Sequence, residues 1–285
     1  MCFEKFFDGF HSDLRRLLES GTDWRSQTAA TLMHTNPRSI RVDALAADAD
    51  ALSEALIMEI TAALDGFRAL DIRAVVLRAQ PGIKVWSAGH DVSELPDSGR
   101  DPLGWNDPLR ILIRAIQEFP APVIGLIEGS VWGGACEVAM ACDILVTTPE
   151  AAFAITPAKL GVPYNLGGLM TLINMIPLPV FKEMLFTAQP LSAEQALNLG
   201  MINYTKPADE IESFVYDMAS RIGQNSPLSI AVMKDSLRLL SSAHSVTPDL
   251  VERMQGMRRI VYDSEDYREG LRAFREKRKP KFSGK

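Results

Sequence analysis

Apolar positions in the first 20 residues (Phe3, Phe6, Phe7, Phe10, Leu14, Leu17, Leu18) recur at helical spacing and predict an amphipathic helix, either a contact with a partner or a helix docked on its own domain. Between residues 22 and 50 the pattern is poor. Leu52, Leu56, Ile60, Leu64 and Phe67 then mark one face of a helix over 51–70, and Ile72-Arg-Ala-Val-Val-Leu77 follows as a strand. Strands at 85–87, 121–127 and 144–147, with a helix at 108–119 between them, continue an alternation of strand and helix that predicts an α/β class. Residues 96–108, rich in Pro, Gly and Asp, form a loop, read as a lid or pocket wall or as a plain surface connection. A turn-rich stretch, Thr156-Pro-Ala-Lys-Leu-Gly-Val-Pro-Tyr-Asn165, precedes a helix from about 166. Past 179 the chain is almost wholly helical. Ser192-Ala-Glu-Gln195 is a capping box, Gly200 a helix stop, and 201–205 a short strand. Further helices are predicted over 211–222, 230–240 and 249–279, the last ending in the basic run Lys277-Arg-Lys-Pro-Lys281. Three regions follow: an atypical N-terminal extension at 1–50, helical in part, a core at 51–205 that holds the site, and a helical region at 206–285.

The chemistry is placed where the apolar strand at 121–127 joins a helix through Glu128-Gly-Ser-Val-Trp-Gly-Gly-Ala-Cys-Glu-Val-Ala-Met-Ala141. Ala135, Ala139 and Cys142 make one side of that helix small, so it must pack closely. Gly133 and Gly134 free backbone N–H groups at a helix N-terminus, where unpaired donors and the dipole favour a developing negative charge. Upstream, Val85-Trp-Ser-Ala-Gly-His-Asp91 is a second strand running into a glycine turn, and the N–H of His90 is the natural partner for that of Gly134. Two backbone donors converging on one oxygen form an oxyanion hole.

Composition narrows the field. The 285 residues are 47% hydrophobic, enough for a sizeable core. A net charge of −6 and a pI near 5.4 argue against a nucleic-acid surface, which needs clustered cations. No apolar run approaches a membrane span, and Glu4, Asp8 and Asp13 occupy the start of the chain where a secretory signal would be basic and then apolar. Cys2, Cys136 and Cys142 lack metal-ligand spacing and fit reduced thiols in the cytoplasm, so no metal site is expected.

Five stretches in order carry a resemblance: Ser87-Ala-Gly-His-Asp91, Leu95-Pro-x-x-Gly-Arg-Asp-Pro-Leu103, Glu128-Gly-Ser-Val-Trp-Gly-Gly134, Thr156-Pro-x-x-Leu-Gly-Val-Pro-Tyr-Asn165 and Glu276-Lys-Arg-Lys-Pro280. Over roughly 51–285 the chain resembles the crotonase (enoyl-CoA hydratase/isomerase) superfamily, and within it the branch that decarboxylates methylmalonyl-CoA. The resemblance implies a crotonase-like spiral of repeated ββα units with a C-terminal helical oligomerisation region, assembled as a homotrimer or as a hexamer of paired trimers. It implies an acyl-CoA thioester as substrate, with no cofactor beyond the CoA that the substrate carries. His90, Gly134, Tyr164 and Glu137 are the expected catalytic residues. Ala88, Gly89, Asp91, Val92, Thr156 and Lys277 are expected against the substrate, Lys277 at the CoA or, on sequence alone, on a solvated face. Tyr164 is assigned to a substrate carboxylate, the alternative being a core aromatic with a satisfied hydroxyl. Glu137 is read either as a proton relay or as buried and structural, and the His90 side chain as optional or as an anchor for its loop.

The chain also departs from the superfamily pattern. Asp48-Ala-Asp-Ala-Leu-Ser53 replaces a turn preceded by a basic residue. Hydratases of the superfamily use two glutamates; Glu137 fills the first place, but Pro157 holds the second. Hydration or isomerisation and a noncatalytic assembly role are the alternatives to decarboxylation.

Overall fold

A computed structural model describes residues 39–42, 51–68, 70, 72–96, 104–243 and 247–285. The helix expected over 1–20, the altered turn at 48–50 and most of the 96–108 loop lie outside the described residues. Those described all belong to one compact unit.

Eleven strands are described: β1 (Ser39–Val42), β2 (Ala51–Leu52), β3 (Val75–Ala79), β4 (Val85–Ser87), β5 (Gly89–His90), β6 (Val123–Ile127), β7 (Ser130–Trp132), β8 (Ile144–Thr147), β9 (Ala152–Ala154), β10 (Leu191–Ser192) and β11 (Tyr204–Thr205). The helices are α1 (Glu54–Arg68), α2 (Pro108–Gln117), α3 (Gly134–Ala141), α4 (Leu166–Ile173), α5 (Leu178–Thr187), α6 (Ala193–Asn198), α7 (Ile211–Gly223), α8 (Pro227–Ser241), α9 (Pro248–Tyr262) and α10 (Glu265–Arg275). Short 3-10 turns at Val92–Glu94 and Pro157–Leu160 follow β5 and β9.

A five-stranded sheet runs β1-β3-β6-β8-β11, every pair parallel. A second sheet runs β10-β9-β7-β4, parallel except at β9–β10. Chain order alternates between them: β3, β4 and α2, then β6, β7 and α3, then β8, β9 and α4. This is the repeated ββα unit of a crotonase-like spiral. β2 pairs only with β5, with Leu52 beside His90.

The strand period of two sorts the core. Val75, Leu77 and Ala79 of β3 and Val123 and Ile127 of β6 face a main core shared with α1, α2 and α3. Their alternates Val76, Ile124 and Leu126 face α7 through Ile211, Val215 and Met218. Arg78 falls on that second face and is buried there, paired with Glu128 at 3.2 Å and Glu212 at 2.7 Å. A third cluster, Leu95, Val162, Tyr262, Tyr267 and Leu271, fastens α9 and α10 to both 3-10 turns.

Two expected boundaries are corrected. The helix read over 51–70 begins at Glu54, because Ala51–Leu52 is taken into pairing with β5. The single helix read over 249–279 is two, since Ser264 adopts extended dihedrals and its hydroxyl accepts from the N–H of Tyr267, starting α10 afresh. Among the described residues no helix is long and apolar enough to cross a membrane.

Candidate active site

Everything at the site hangs on the entry to α3. Gly133, the N-cap, has φ 54° and ψ −124°, and its N–H is taken by the carbonyl of Ala154 at 2.8 Å. Gly134 is the first helical residue, so its N–H has no acceptor one turn earlier. The Gly89–His90 stretch comes directly against it. A Cβ on Gly89, whose φ is +88°, would overlap the carbonyl of Trp132 and stand 2.9 Å from the nitrogen of Gly134. A Cβ on Gly134 would lie 3.5 Å from the nitrogen of His90. The two predicted donors are therefore brought together, and glycine is needed on both sides of the approach. Residues 135–141 of α3 are all buried, which is why that helix is built of Ala, Cys and other compact side chains.

The imidazole of His90 is an anchor. Its Nδ1 lies 3.0 Å from the carbonyl of Asp91, and its Nε2 lies 3.8 Å from Oδ2 of Asp107, the N-cap of α2. Burial disfavours the charged ring, but Asp107, the Asp91 carbonyl and the charge of Glu94 outweigh it and raise the pKa above the ordinary histidine value. Asp91 is committed locally: its Oδ1 accepts from the N–H and hydroxyl of Ser93 at 2.8 and 2.7 Å, its N–H donates to the carbonyl of Leu52 at 3.3 Å, and its carbonyl faces His90 Nδ1. Val92 packs in the third cluster, and Ala88 is exposed beside the glycine turn. Thr156 ends β9's extension with its hydroxyl 3.5 Å from where a Cβ on Gly133 would sit, so it borders the same turn.

Glu137, one turn into α3, is 1% exposed. Arg110 of α2 donates to it at 2.8 Å and the Asn165 amide at 3.3 Å. α4 makes room with two glycines: a Cβ on Gly167 would overlap the Arg110 guanidinium, and one on Gly168 the Glu137 carboxyl. Burial raises the pKa of Glu137 against the opposing pull of Arg110, Tyr164 and Asn165. Of the two readings of Glu137, this geometry favours the buried hub: both oxygens are occupied, tying α3 to α2 and to the head of α4. Tyr164 fits neither simple description. Its ring is only partly buried against the core, yet its hydroxyl is enclosed and makes no hydrogen bond of normal geometry. Burial and the adjacent Glu137 carboxylate hold its pKa well above the usual phenol value. Pro157 opens the 3-10 turn after Thr156, so no carboxylate stands there.

Lys277 is exposed, just past the end of α10, with φ 51°. Its neighbour Arg278 is committed to Glu269 and to Glu276 at 2.6 Å, so the basic run is not a uniform patch. Cys136 and Cys142 are buried free thiols, and burial pushes Cys136 up to about 12.

Sequence reasoning missed Asp107, Arg110 and the pair Gly167-Gly168. Asp107-Pro108 is a helix-start signal, but nothing local in it reveals the second use of the carboxylate. Two glycines in the first turn of a helix were a legible sign of close approach.

The sequence pattern of the enoyl-CoA hydratase/isomerase family matches residues 45–285. Methylmalonyl-CoA decarboxylase of Escherichia coli (strain K12) is 49% identical over 235 residues, 82% of this chain and 90% of the relative. A carnitinyl-CoA dehydratase of Salmonella paratyphi B is 32% identical over 211 residues, 72% of this chain and 79% of the relative. Among solved structures, a methylmalonyl-CoA decarboxylase complexed with 2S-carboxypropyl CoA superposes with a TM-score of 0.83 at 45% identity, covering 88% of this chain and 96% of the other. Another, in complex with 2-nitronate-propionyl-CoA, gives a TM-score of 0.81 at 49% identity, covering 83% and 91%. With the alternating two-sheet spiral and the paired glycine turns already in place, these matches settle the family: the chain belongs to the enoyl-CoA hydratase/isomerase family.

Proposed function

We propose that the chain is a carboxy-lyase that decarboxylates a malonyl-type CoA thioester, converting methylmalonyl-CoA to propionyl-CoA and CO2 without biotin, metal or nucleotide. The observation that carries this is the meeting of the Gly134 and His90 nitrogens at a helix N-terminus, beside a second-acid position held by Pro157. The relatives named decarboxylases, and the CoA ligands in their structures, support the same reading.

The thioester oxygen seats against the two N–H groups. The bond from the α-carbon to the carboxylate breaks, CO2 leaves, and the electron pair spreads onto the thioester oxygen as an enolate. The α-carbon then takes up a proton. The barrier is the charge on that oxygen, and one preorganised donor is worth roughly 2.7–4 kcal/mol. Tyr164 places its enclosed hydroxyl beside Glu137 from the loop opposite, suited to hold the departing carboxylate perpendicular to the thioester plane so that the breaking bond overlaps the carbonyl system. Ala88, Gly89, Asp91 and Val92 line the approach, Thr156 borders the glycine turn, and Lys277 serves the CoA phosphates.

Hydration is the second reading, kept by the dehydratase relative. It needs a free acid–base pair, whereas Glu137 is held by Arg110 and Asn165 and has no second acid at Pro157. Purified protein should release CO2 from methylmalonyl-CoA and hydrate crotonyl-CoA poorly or not at all; malonyl- and ethylmalonyl-CoA alongside define the preference. Comparable hydration would assign the other branch, and no turnover of any thioester would favour a noncatalytic assembly subunit.

Self-association belongs to the same proposal, as a homotrimer or as a hexamer of paired trimers. Its support is the apolar surface of α8, where Leu228, Val232, Leu237 and Leu240 are at least 66% exposed. A monomer by light scattering at micromolar concentration would contradict it.

A further inference from the structure

The His90 side chain is not needed for a backbone donor, yet it is fixed at both ends. Nδ1 faces the Asp91 carbonyl at 3.0 Å, which requires a proton on Nδ1. A neutral ring would then turn the lone pair of Nε2 towards the Asp107 carboxylate, 3.8 Å away. Only the imidazolium presents a donor to each acceptor. Asp107 also reaches the other half of the hole. Its Oδ1 accepts from the N–H of Leu109 at 2.9 Å, capping α2, and Leu109 in turn abuts Gly134, where a Cβ would meet its Cδ2 at 2.8 Å.

We propose that Asp107 is a positioning residue for the oxyanion hole: it keeps the His90 imidazole doubly protonated and thereby holds the His90 N–H in line with that of Gly134. The inference rests on the decarboxylase reading for its effect on rate. Among the described residues the charged groups that act on the ring are few. Asp107 faces it from α2 and Glu94 from the 3-10 turn, while Glu137 on α3 is taken by Arg110 and the paired residues of β2, Ala51 and Leu52, do not titrate. Glu94 keeps its charge while accepting from the N–H of Glu54 at 3.1 Å, but Asp107, 3.8 Å from Nε2, acts on the ring more strongly and is the principal counter-charge.

The sign of the pH effect follows. The raised pKa keeps the ring charged below its midpoint, and raising the pH through that midpoint removes both the second anchor and a positive charge beside the enolate. Rate should therefore be highest on the acid side and fall on the alkaline side.

Asp107→Asn separates the two uses of this residue, since asparagine caps a helix about as well as aspartate but carries no charge. The His90 resonance among the four histidines, identified by its loss in His90→Gln, is titrated by NMR in the full chain, with kcat and KM for methylmalonyl-CoA measured over the same pH range. In Asp107→Asn the midpoint should drop by about one pH unit, as expected for losing an opposite charge at this range. The alkaline fall in kcat should move down with it, while KM stays within about twofold; the melting temperature should be nearly unchanged above the midpoint and fall by a few degrees below it, where the lost ion pair had added stability. A midpoint that does not move, or one that moves while the kcat profile stays put, would overturn the proposal. A protein inactive on the thioester at every pH would refute the decarboxylase reading instead, and the NMR midpoint would still decide the Asp107–His90 pair.

Discussion

Helices α3 and α8 are both rich in apolar residues, but α3 buries seven of its eight residues and α8 buries none of its fifteen. α3 lies between α2, α4, β5 and β7, where compact side chains let backbones approach and leave the Gly134 N–H open. α8 is held instead by polar contacts: the Asn174 amide donates to the carbonyl of Ser241 at 2.9 Å, and one cation reaches inward. Lys234 donates to the carbonyls of Ile116 and Ala121, each at 3.1 Å, and to Asp143 at 2.6 Å, which closes the C-terminal end of α2. Burial lowers the pKa of Lys234 and raises that of Asp143, against their mutual attraction. Apolar content thus meant a closely packed support for the glycine turn in one helix and an outward face in the other. Packing against small residues fixes a backbone to fractions of an ångström, as an oxyanion hole demands. A few polar contacts fix only a helix's place and leave its apolar face free for a partner.

The strongest way to break this contrast is Gly89→Ala. The new Cβ would press on the Trp132 carbonyl and on the Gly134 nitrogen, so kcat should fall on the order of 1000-fold, the scale of losing an oxyanion donor. Near-normal kcat in steady-state assays would mean that the hole lies elsewhere.

On the α8 side, Lys234→Met should destabilise the fold by about 2 kcal/mol, because it leaves the partly exposed Asp143 and the carbonyls of Ile116 and Ala121 without their charged donor. Urea unfolding measures this, and kcat of the folded fraction should stay within about threefold. A large loss of kcat would show that α8 supports the site as closely as α3 does.

Tyr164→Phe sharpens the catalytic side: kcat should drop about tenfold with CoA-ester binding within a few-fold, since the hydroxyl orients rather than binds. Equal kcat would return Tyr164 to the core. The smallest effect is expected for Lys277→Ala, which should raise KM about threefold with little change in kcat if its contact is the same in ground and transition states. An unaltered KM would place Lys277 with the solvated cations.

Much of the site was legible because its signals are local. Gly133-Gly134 after an apolar strand, the Ser87-Ala-Gly-His turn and proline at 157 are each read within a few residues, as are the capping box at Ser192 and the stop at Gly200. The break before α10 was also local, but a continuous helical period masked it. The partners of charges were not legible. Arg110 meets Glu137 from 27 residues away, and Lys234 meets Asp143 from 91.

By itself, the sequence determined the main alternation of strand and helix and the two glycine turns that meet at α3, since periods of two and 3.6 residues, caps and glycine turns depend on neighbours in the chain. Only the tertiary structure decided that Glu137 is held by Arg110 and Asn165, that His90 is gripped by Asp107, and that α8 turns its leucines outward. Those outcomes depend on through-space electrostatics and on volume left by distant residues such as Gly167 and Gly168, and no local pattern encodes either.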